Sequence, residues 1–512
     1  MRGARSSAVM PIMRTLREVI DHHAGLRPEA PFLFAPEPDS VITYLQLRDA
    51  TRALGGFLAS AGVAPGEVVS FMLPNGAAAA TLLLGTMAAG YVVSPLNLLA
   101  QDAHLEYSLA HSGTRFVFAA PEFVDRLRRL LSTTGREVTV RATDPDALQL
   151  DPGPGDEVTG VESRTPALLM YTSGTTGMPK GALLSHGNLV HAAESVVNAH
   201  ALTAADRALS SLPLYHVNGQ CIATVSPVFA GGSIVLPRRF SVSQWWPLVE
   251  RYRPTWLNMV PTIISYLLNG PDLTPGQVEA CRGIRFGRSA SSPLPPEQHK
   301  AFERRFGVSV IEAMGLTECA SVAFANPLDP ARRKYGTPGL PLGLDARVVA
   351  PDGRALAPGA SGEIQLRGAN VMLGYYKAPE LSAATLSADG WLSTGDLGHC
   401  DDDGFYFITG RLKELIIKGG ENIAPREIDE ALLRHPAVLE AAAVGIPDAH
   451  YGQEILACIV LKAGMRCSEE ALRVHCVREL GAYKTPKILR FVDDLPKGAS
   501  GKVQRLKLLE VA

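Results

Sequence analysis

One stretch of sixteen residues holds most of the side chains that could bind a phosphate group. It runs from Tyr171 to His186 and reads YTSGTTGMPKGALLSH. Apolar residues on both sides predict short buried strands, while Gly174, Gly177 and Pro179 break any helix or strand between them. Glycines let backbone N–H groups approach an anion, hydroxyls add donors, and Lys180 adds a positive charge. The predicted ligands of a polyphosphate are Thr172, Ser173, Gly174, Thr175, Thr176, Gly177 and Lys180.

This segment is not a Walker A loop. That motif reads G-x-x-x-x-G-K-[ST] and leads directly into a helix, whereas Gly177 is followed by Met-Pro-Lys-Gly and an apolar run. A surface loop without a ligand is the alternative for a segment of this general composition.

The elements that position this loop alternate between helical and strand patterns. Residues from about Leu16 to Leu169 have a βαβ rhythm, which predicts a parallel sheet covered by helices, and a second α/β layer follows the loop. Short strands and turns from about Tyr335 to Thr409 predict a small β-rich subdomain. The predicted fold is α/β, with a large N-terminal domain (residues 1–410) of two α/β subdomains and the β-rich subdomain. A small, mobile α+β C-terminal domain (residues 411–512) completes it.

Composition excludes several classes of function. The net charge of −2 leaves no basic footprint for nucleic acid or for an anionic membrane. Seven scattered cysteines without a CxxC pair predict reduced thiols in a cytoplasmic protein, with no structural zinc. The apolar segment Ala77–Leu99 contains Gly85, Gly90 and Pro95, and therefore predicts a buried helix and strand rather than a membrane span. Residues 134–164 are polar and rich in Asp, Gly and Pro, which predicts a connector.

Six further motifs follow the loop along the chain. They are LPLYH (212–216), EAMGLTE (312–318), STGD (393–396), GRLK (410–413), KGGEN (418–422) and PKGASGK (496–502). Together with the loop, and in this order, they resemble the adenylate-forming superfamily, which includes acyl-CoA synthetases, firefly luciferase and the adenylation domains of peptide synthetases. The resemblance extends over nearly the full length of the chain.

The resemblance implies an acyl-CoA synthetase with ATP, Mg²⁺ and coenzyme A as cofactors and a small-molecule carboxylic acid as partner. The acid and ATP would give an acyl-adenylate and pyrophosphate, and CoA would then give the thioester and AMP. Three alternatives stay open: an enzyme that only thioesterifies a preformed acyl-adenylate, a ligase that loads an acyl carrier protein, and a nucleotide-binding module without activity.

The resemblance also implies roles for single residues. Glu318 would hold Mg²⁺, Asp396 and Arg411 would bind the ribose, Lys502 would reach the α-phosphate and the substrate carboxylate, and Lys413 would lie at a hinge. With Lys180 and His216, the residues Glu318 and Lys502 form the predicted catalytic set. The predicted adenine and AMP contacts are Ala290, Ser291, Ser292, Met314, Gly315 and Thr317. An aromatic residue normally stacks on adenine at position 314, and the adaptable methionine found here leaves poor adenylation open.

The last two implied sites hold CoA and the acyl group. The Gly419–Gly420 turn would line a narrow tunnel for pantetheine, with Tyr451, Tyr483 and Lys484 beside it. The segments PTWLNMVPTIISYLL and FGRSASSPLP are similar to those of oxalate–CoA ligases, in which Arg288 would pair with a second carboxylate of a small diacid. A local anchoring role for Arg288 and a larger, hydrophobic acid stay open. The predicted acyl pocket comprises His216, which also helps to admit the thiol, Val217, Asn218, Met259, Val260 and Arg288, with Cys221 as apolar lining.

Overall fold

Four β-sheets with flanking helices make up the part of the chain that the structure describes. The computed structural model of the protein describes residues 13–132, 135, 137–150, 160–172, 178–497 and 503–511. The predicted α/β class is confirmed, with α+β structure after residue 411. The division at residue 411 into two domains stays a prediction.

The largest sheet has nine strands, and its central strands run parallel. Their carboxyl ends therefore meet at one edge, where α/β proteins bind ligands. In spatial order the strands are β15 (Leu340–Pro341), β14 (Phe324–Ala325), β13 (Val310–Met314), β12 (Phe286–Ser289), β11 (Trp256–Met259), β9 (Arg207–Ser210), β10 (Ser233–Val235), β1 (Pro31–Ala35) and β2 (Ser40–Thr43). Strand β1 pairs with β10, although its place in the sequence predicts a position in the sheet formed by residues 16–169.

The second sheet has seven strands and carries the predicted phosphate loop. In spatial order they are β18 (Gly374–Tyr375), β8 (Lys180–Ser185), β7 (Pro166–Thr172), β4 (Val92–Pro95), β3 (Val68–Met72), β5 (Phe116–Ala119) and β6 (Thr139–Ala142). Strands β8 and β18 are antiparallel to their neighbours, so the predicted parallel sheet is in fact mixed. Strand β6 lies within the predicted connector; it was missed because its pattern is short and polar, and its pairing with β5 is what makes it a strand.

Two smaller sheets, one antiparallel and one mixed, follow the predicted pattern after residue 335. The first contains β16 (Asp345–Val349), β17 (Gly362–Arg367), β19 (Leu392–Cys400) and β20 (Tyr406–Arg411). The second contains β22 (Glu421–Ile423), β21 (Ile416–Lys418), β24 (Gly452–Leu461) and β23 (Val438–Asp448), with β25 (Ile488–Phe491) parallel to β24.

The helices cover these sheets. They are α1 (Leu16–Leu26), α2 (Tyr44–Ser60), α3 (Ala77–Ala88), α4 (Asp102–Ser112), α5 (Pro121–Ser132), α6 (His186–His200), α7 (Ser226–Ala230), α8 (Val242–Tyr252), α9 (Pro261–Leu268), α10 (Pro275–Cys281), α11 (Pro296–Phe306), α12 (Pro379–Thr385), α13 (Pro425–Leu433), α14 (Glu469–Lys484) and α15 (Leu508–Val511). Helix α3 is apolar on all sides and buried along its whole length, as expected for a core helix. Within the described ranges, no helix combines the length and the apolar character that a membrane crossing requires.

Candidate active site

The predicted phosphate loop connects two antiparallel strands, as the sequence predicts. Strands β7 and β8 place Thr172 opposite Lys180. The loop residues Ser173, Gly174, Thr175, Thr176 and Gly177 lie outside the described residues, so their roles stay predictions. Helix α6 follows β8 directly and begins with a reciprocal cap, in which the side chains of Ser185 and Asn188 each accept the other's backbone N–H.

Tyr375 lies beside Lys180 on the same face of this sheet. In the antiparallel pair β18–β8, Tyr375 is opposite Ala182, and side chains two residues apart on a strand share a face. The Lys180 Nζ atom therefore lies 5.4 Å from the centroid of the Tyr375 ring, a distance at which an ammonium group is attracted by an aromatic ring.

The same tyrosine contacts the predicted metal ligand. Its hydroxyl donates a hydrogen bond of 2.8 Å to Glu318 Oε1. Burial, followed by the nearby charge of Glu318, raises the pKa of Tyr375, so the hydroxyl keeps its proton and acts as a donor. The backbone N–H of Met372 also donates to the Glu318 carbonyl at 2.8 Å. Sequence reasoning missed Tyr375 because its position depends on the long-range pairing of β18 with β8.

The surroundings of Glu318 fit a metal ion that arrives with a nucleotide. The described part of the chain contains no group of three or more His, Cys, Asp and Glu side chains that could hold a metal by itself. Mg²⁺ commonly binds through one or two carboxylates together with phosphate oxygens. A single carboxylate near the strands of a phosphate loop therefore suits a Mg²⁺–ATP complex.

Asp396 and Arg411, the two predicted ribose contacts, lie opposite each other on β19 and β20. Arg411 Nε lies 2.6 Å from Asp396 Oδ1, and Nη2 lies 3.4 Å from Oδ2. The carboxylate is buried, whereas the guanidinium is one-third exposed. Both residues line the adjoining cavity. The ion pair fixes the Asp396 carboxylate there, where its oxygens could accept hydrogen bonds from hydroxyl groups.

That cavity has a volume of about 340 Å³ and brings together six of the predicted nucleotide contacts. At Gly315 a Cβ atom would lie 2.0 Å from the carbonyl oxygen of Ser321, so only glycine fits there. Ser291 has a φ of +76°, a strained conformation for a residue other than glycine. The predicted contacts that line the cavity are Ser291, Ser292, Met314, Gly315, Asp396 and Arg411. Ala290 is buried beside it and Thr317 begins a short helical turn, Thr317–Cys319.

The C-terminal part of the chain forms the opposite wall of the cavity. Lys497 and Val503 both line it and pair with each other in an antiparallel bridge. Lys502 itself lies outside the described residues, so its catalytic role stays a prediction. Its neighbour Val503 nevertheless places the chain next to the cavity that holds the predicted AMP contacts.

Glu312 is a cavity residue that sequence reasoning did not single out. It is buried, its Oε1 accepts the Leu294 N–H at 3.1 Å, and its Oε2 has no hydrogen-bond partner among the described residues. Burial raises the pKa of Glu312 to about 7. The motif EAMGLTE contains this residue, but its spacing does not show that the side chain is enclosed.

The predicted acyl pocket contains a chain of amide and hydroxyl groups. Asn218 Nδ2 donates to Ser291 Oγ at 3.3 Å, and Asn218 Oδ1 accepts from Asn258 Nδ2 at 3.2 Å. Asn258 also donates to Ser210 Oγ at 3.3 Å. Asn218 begins a π-helical segment, Asn218–Val225, a rare conformation that is frequent at functional sites. This series of hydrogen bonds links the wall of the nucleotide cavity to the interior of the nine-stranded sheet.

Arg288 lies next to these hydrogen-bonded side chains, and its guanidinium is buried. Strand register places Arg288 opposite Asn258, so both side chains lie on one face of the sheet. Within the described residues, Nε and Nη1 of Arg288 have no hydrogen-bond partner. Burial lowers the pKa of Arg288 to about 10, which still leaves it charged at neutral pH. A local anchoring role for Arg288 would require partners that these atoms lack.

The other residues of the predicted acyl pocket divide between the two faces of the sheet. His216 is half-buried with its Nε2 atom enclosed, and desolvation lowers its pKa to about 4, so the imidazole is neutral at pH 7. Its neighbour Val217 packs against the main core. Cys221 is buried in the same core. Met259 and Val260 pack into a second core. Met259 lies on the face of β11 opposite Asn258, so the structure does not bring Met259 together with Arg288.

The residues predicted to line the CoA tunnel lie together in the C-terminal part of the chain. Gly419 and Gly420 have φ values of +56° and +85°, which favour glycine. A Cβ atom on Gly419 would lie 2.8 Å from Tyr483 Oη and 3.3 Å from the Tyr451 ring. Lys484 Nζ contacts both carboxylate oxygens of Glu427 at 2.8 Å, so an internal partner occupies it. Lys413, the predicted hinge residue, is exposed in the turn Leu412–Glu414 between β20 and β21.

Comparisons with known proteins agree with this geometry. The sequence profile of the AMP-binding enzyme family matches residues 20–376, and the profile of the AMP-binding enzyme C-terminal domain matches residues 427–502. The sulfoacetate–CoA ligase of Cupriavidus necator is 53% identical over 506 residues, which cover 98% of each chain. The oxalate–CoA ligase of Arabidopsis thaliana is 33% identical over 91% of this chain and 92% of its own length.

A solved structure supports the same relationship. The o-succinylbenzoate CoA synthetase of Bacillus subtilis, in complex with its acyl-adenylate intermediate, has a TM-score of 0.84 and 30% identity to this chain. The match covers 96% of this chain and 97% of that chain. The same enzyme has also been solved with ATP and a magnesium ion.

Proposed function

Because this chain belongs to the family of AMP-binding enzymes and is an acyl-CoA synthetase, we propose that its substrate is a small acid with a second negative charge. The enzyme converts a carboxylic acid, ATP and CoA to acyl-CoA, AMP and pyrophosphate through an acyl-adenylate. ATP, Mg²⁺ and CoA are its cofactors. Sulfoacetate, the substrate named for the relative that is 53% identical, is the first candidate acid.

The buried guanidinium of Arg288 is the observation that carries this proposal. A buried charge without a partner is strongly unfavourable, and Nε and Nη1 lack partners among the described residues. Arginine presents a fork of donors that matches carboxylate and phosphate oxygens, and a sulfonate offers a similar set of oxygens. The charged head group of the acid would therefore pair with Arg288, while its carboxylate would point along Asn218 and Ser291 toward the nucleotide cavity.

The proposed adenylation site assigns the remaining predicted residues. Lys180 and the loop residues 172–177 would hold the phosphates, and Glu318, fixed by Tyr375, would hold Mg²⁺. The bound metal would neutralise phosphate charge. Lys502 would neutralise charge between the carboxylate and the α-phosphate, two anions that repel each other until they are positioned together.

For the thioester step, we propose a rotation of residues 411–512 about the exposed turn at Lys413. This rotation would bring the Gly419–Gly420 turn to the nucleotide cavity, so that the pantetheine arm of CoA reaches the acyl-adenylate, with the neutral His216 near the point of thiol entry. A carrier-protein thiol is a second acceptor to test, because such proteins present the same pantetheine arm.

The substrate proposal is tested by removing the positive charge at Arg288 and the second negative charge of the acid, each alone and both together. Sulfoacetate and propionate differ in a sulfonate replaced by a methyl group. In Arg288→Met, kcat/KM should fall about 100-fold or more for sulfoacetate and rise for propionate. The matched variant Arg282→Met, which removes a largely exposed arginine, should change neither value. Equal losses for both acids would contradict the proposed pairing.

A further inference from the structure

Lys418 is a buried charged residue next to the proposed CoA tunnel, and the mechanism above gives it no role. Its Nζ atom lies 3.0 Å from Glu454 Oε1, and both side chains are only 7% exposed. Lys418 ends strand β21, and the next two residues form the Gly419–Gly420 turn. The ion pair therefore lies at the base of the segment that would face the pantetheine arm.

The ammonium group of Lys418 also holds two aromatic side chains. It lies 4.9 Å from the Tyr483 ring and 5.5 Å from the Tyr451 ring, within the range of a cation–π interaction. Lys418 Nζ donates to the Tyr483 carbonyl at 2.8 Å, and Tyr483 Oη donates to the Lys418 carbonyl at 2.6 Å. One side chain thus connects β21, β24 and the end of α14.

These contacts determine the space around the glycine turn. Tyr483 Oη is the atom that a Cβ on Gly419 would meet, and Tyr451 is the next nearest contact. The backbone N–H of Gly419 donates to the Tyr451 carbonyl at 2.8 Å. Movement of either tyrosine would therefore change the width and direction of the proposed tunnel.

The energetics do not favour a purely structural role for this ion pair. Burying two charges carries a desolvation cost that their mutual attraction often fails to recover, and apolar replacements of similar volume are frequently as stable. The two tyrosines, by contrast, are about half exposed and gain little orientation from packing. The ammonium group contacts both rings, and Tyr483 has a second anchor in the hydrogen bond from its hydroxyl to the Lys418 carbonyl.

We propose that Lys418 is a positioning residue for the thioester-forming step, because it fixes Tyr451, Tyr483 and the Gly419–Gly420 turn around the pantetheine arm of CoA. This inference rests on the CoA tunnel of the proposed function. It concerns the second half-reaction alone, since the residues assigned to adenylation do not contact Lys418.

The test measures the two half-reactions separately. ATP–pyrophosphate exchange without CoA reports adenylation, and thioester formation from a synthetic acyl-adenylate and CoA reports the second step. The acid in both assays is the one that supports exchange in the unmodified enzyme. In Lys418→Met, kcat/KM for CoA should fall about tenfold or more, while exchange should stay within about twofold.

A double variant shows whether a CoA defect arises because the tyrosines are no longer positioned or because Glu454 is left without its partner. Lys418→Met leaves Glu454 buried without its partner, and Glu454→Gln in the same chain removes that charge. The double variant should retain the CoA defect, because both tyrosine rings still lack the contact with the ammonium group. The control Lys487→Met removes an exposed lysine that pairs with Asp448 in the same region, and it should leave both half-reactions unchanged.

Three results would overturn the inference: normal use of CoA by Lys418→Met, recovery in the double variant, or equal loss of both half-reactions in the double variant. A bulky residue at Gly420 tests the tunnel independently. If Gly420→Trp forms thioester at the full rate, the tunnel assignment itself is wrong. If Gly420→Trp blocks the step and the Lys418 variants do not, the role of Lys418 alone is wrong.

Discussion

Tyr375 and Glu318 are joined by a hydrogen bond of 2.8 Å between the phenolic hydroxyl and Oε1. The same aromatic ring lies 5.4 Å from Lys180 Nζ. Tyr375 thus connects the proposed metal ligand with the proposed phosphate-binding lysine, although the three residues lie on separate segments of the chain. This arrangement supports the proposal that Tyr375 orients the Glu318 carboxylate for a Mg²⁺–ATP complex.

Replacement of Tyr375 by phenylalanine should weaken the response to Mg²⁺ selectively. Loss of a hydrogen bond to a charged group costs about 1.5–3 kcal/mol, so the Mg²⁺ concentration for half-maximal ATP binding should rise about tenfold or more. Calorimetric titration of ATP at several Mg²⁺ concentrations measures this without turnover. Tyr376→Phe, whose ring contacts His111, is the control; an equal shift in both variants would argue against a specific role for Tyr375.

Lys502→Ala should separate the two half-reactions. Formation of the acyl-adenylate should fall by a factor of about 100 or more, because charge stabilisation at the α-phosphate is lost. Thioester formation from supplied acyl-adenylate should remain within about threefold of the normal rate. Lys507→Ala, which changes an exposed lysine in the same segment, should affect neither step, and equal loss of both steps in Lys502→Ala would refute the assigned role.

Met314→Tyr should improve the affinity for ATP. Met314 lines the nucleotide cavity, and an aromatic stack adds about 0.5–1.5 kcal/mol to the contact. The KM for ATP in pyrophosphate exchange should therefore fall about threefold to tenfold, whereas Met314→Leu should leave it nearly unchanged. An unchanged or raised KM in Met314→Tyr would indicate that adenine does not contact this position.

Glu312 should make the stability of the protein depend on pH near neutrality. Burial raises its folded-state pKa to about 7 from an ordinary value of 4.5. The folded protein therefore retains a proton that the unfolded chain releases, and the resulting stability is full below pH of about 4.5 and lost as pH rises through about 7.

Comparison with Glu312→Gln isolates this contribution. Between pH of about 5 and 8, the unfolding temperature of the unmodified protein should decline relative to that of the variant. Thermal unfolding at a series of pH values measures the difference. Parallel pH profiles for the two proteins would show that Glu312 does not titrate in this range.

Local sequence patterns predicted much of the fold, because most helices and strands carry their own periodicity. They did not predict that β1 would pair with β10 or that β6 would form, since both depend on contacts between distant segments. The alternation of β11 does explain why Asn258 and Met259 face opposite sides of the sheet, although the sequence predicted Met259 beside Arg288 in one pocket.

In the candidate site, too, the sequence predicted some residues and missed others. Asp396 and Arg411 belong to recognisable motifs, and the hairpin of β19 and β20 brings them together. Tyr375 carries no comparable signal, and the KGGEN motif does not show which side chains surround its first residue, Lys418, because a tyrosine or lysine acquires its role from the strands and rings packed around it. Those partners become visible only in three dimensions.

The most direct test of the substrate proposal is ATP–pyrophosphate exchange by the unmodified enzyme, without CoA, across a panel of acids. The panel contains sulfoacetate, oxalate, propionate, an aryl acid and a fatty acid. We predict exchange with sulfoacetate at a kcat/KM at least about 100-fold above that for propionate, because only the former supplies a charge to Arg288. Preferred exchange with propionate, the aryl acid or the fatty acid would contradict the account.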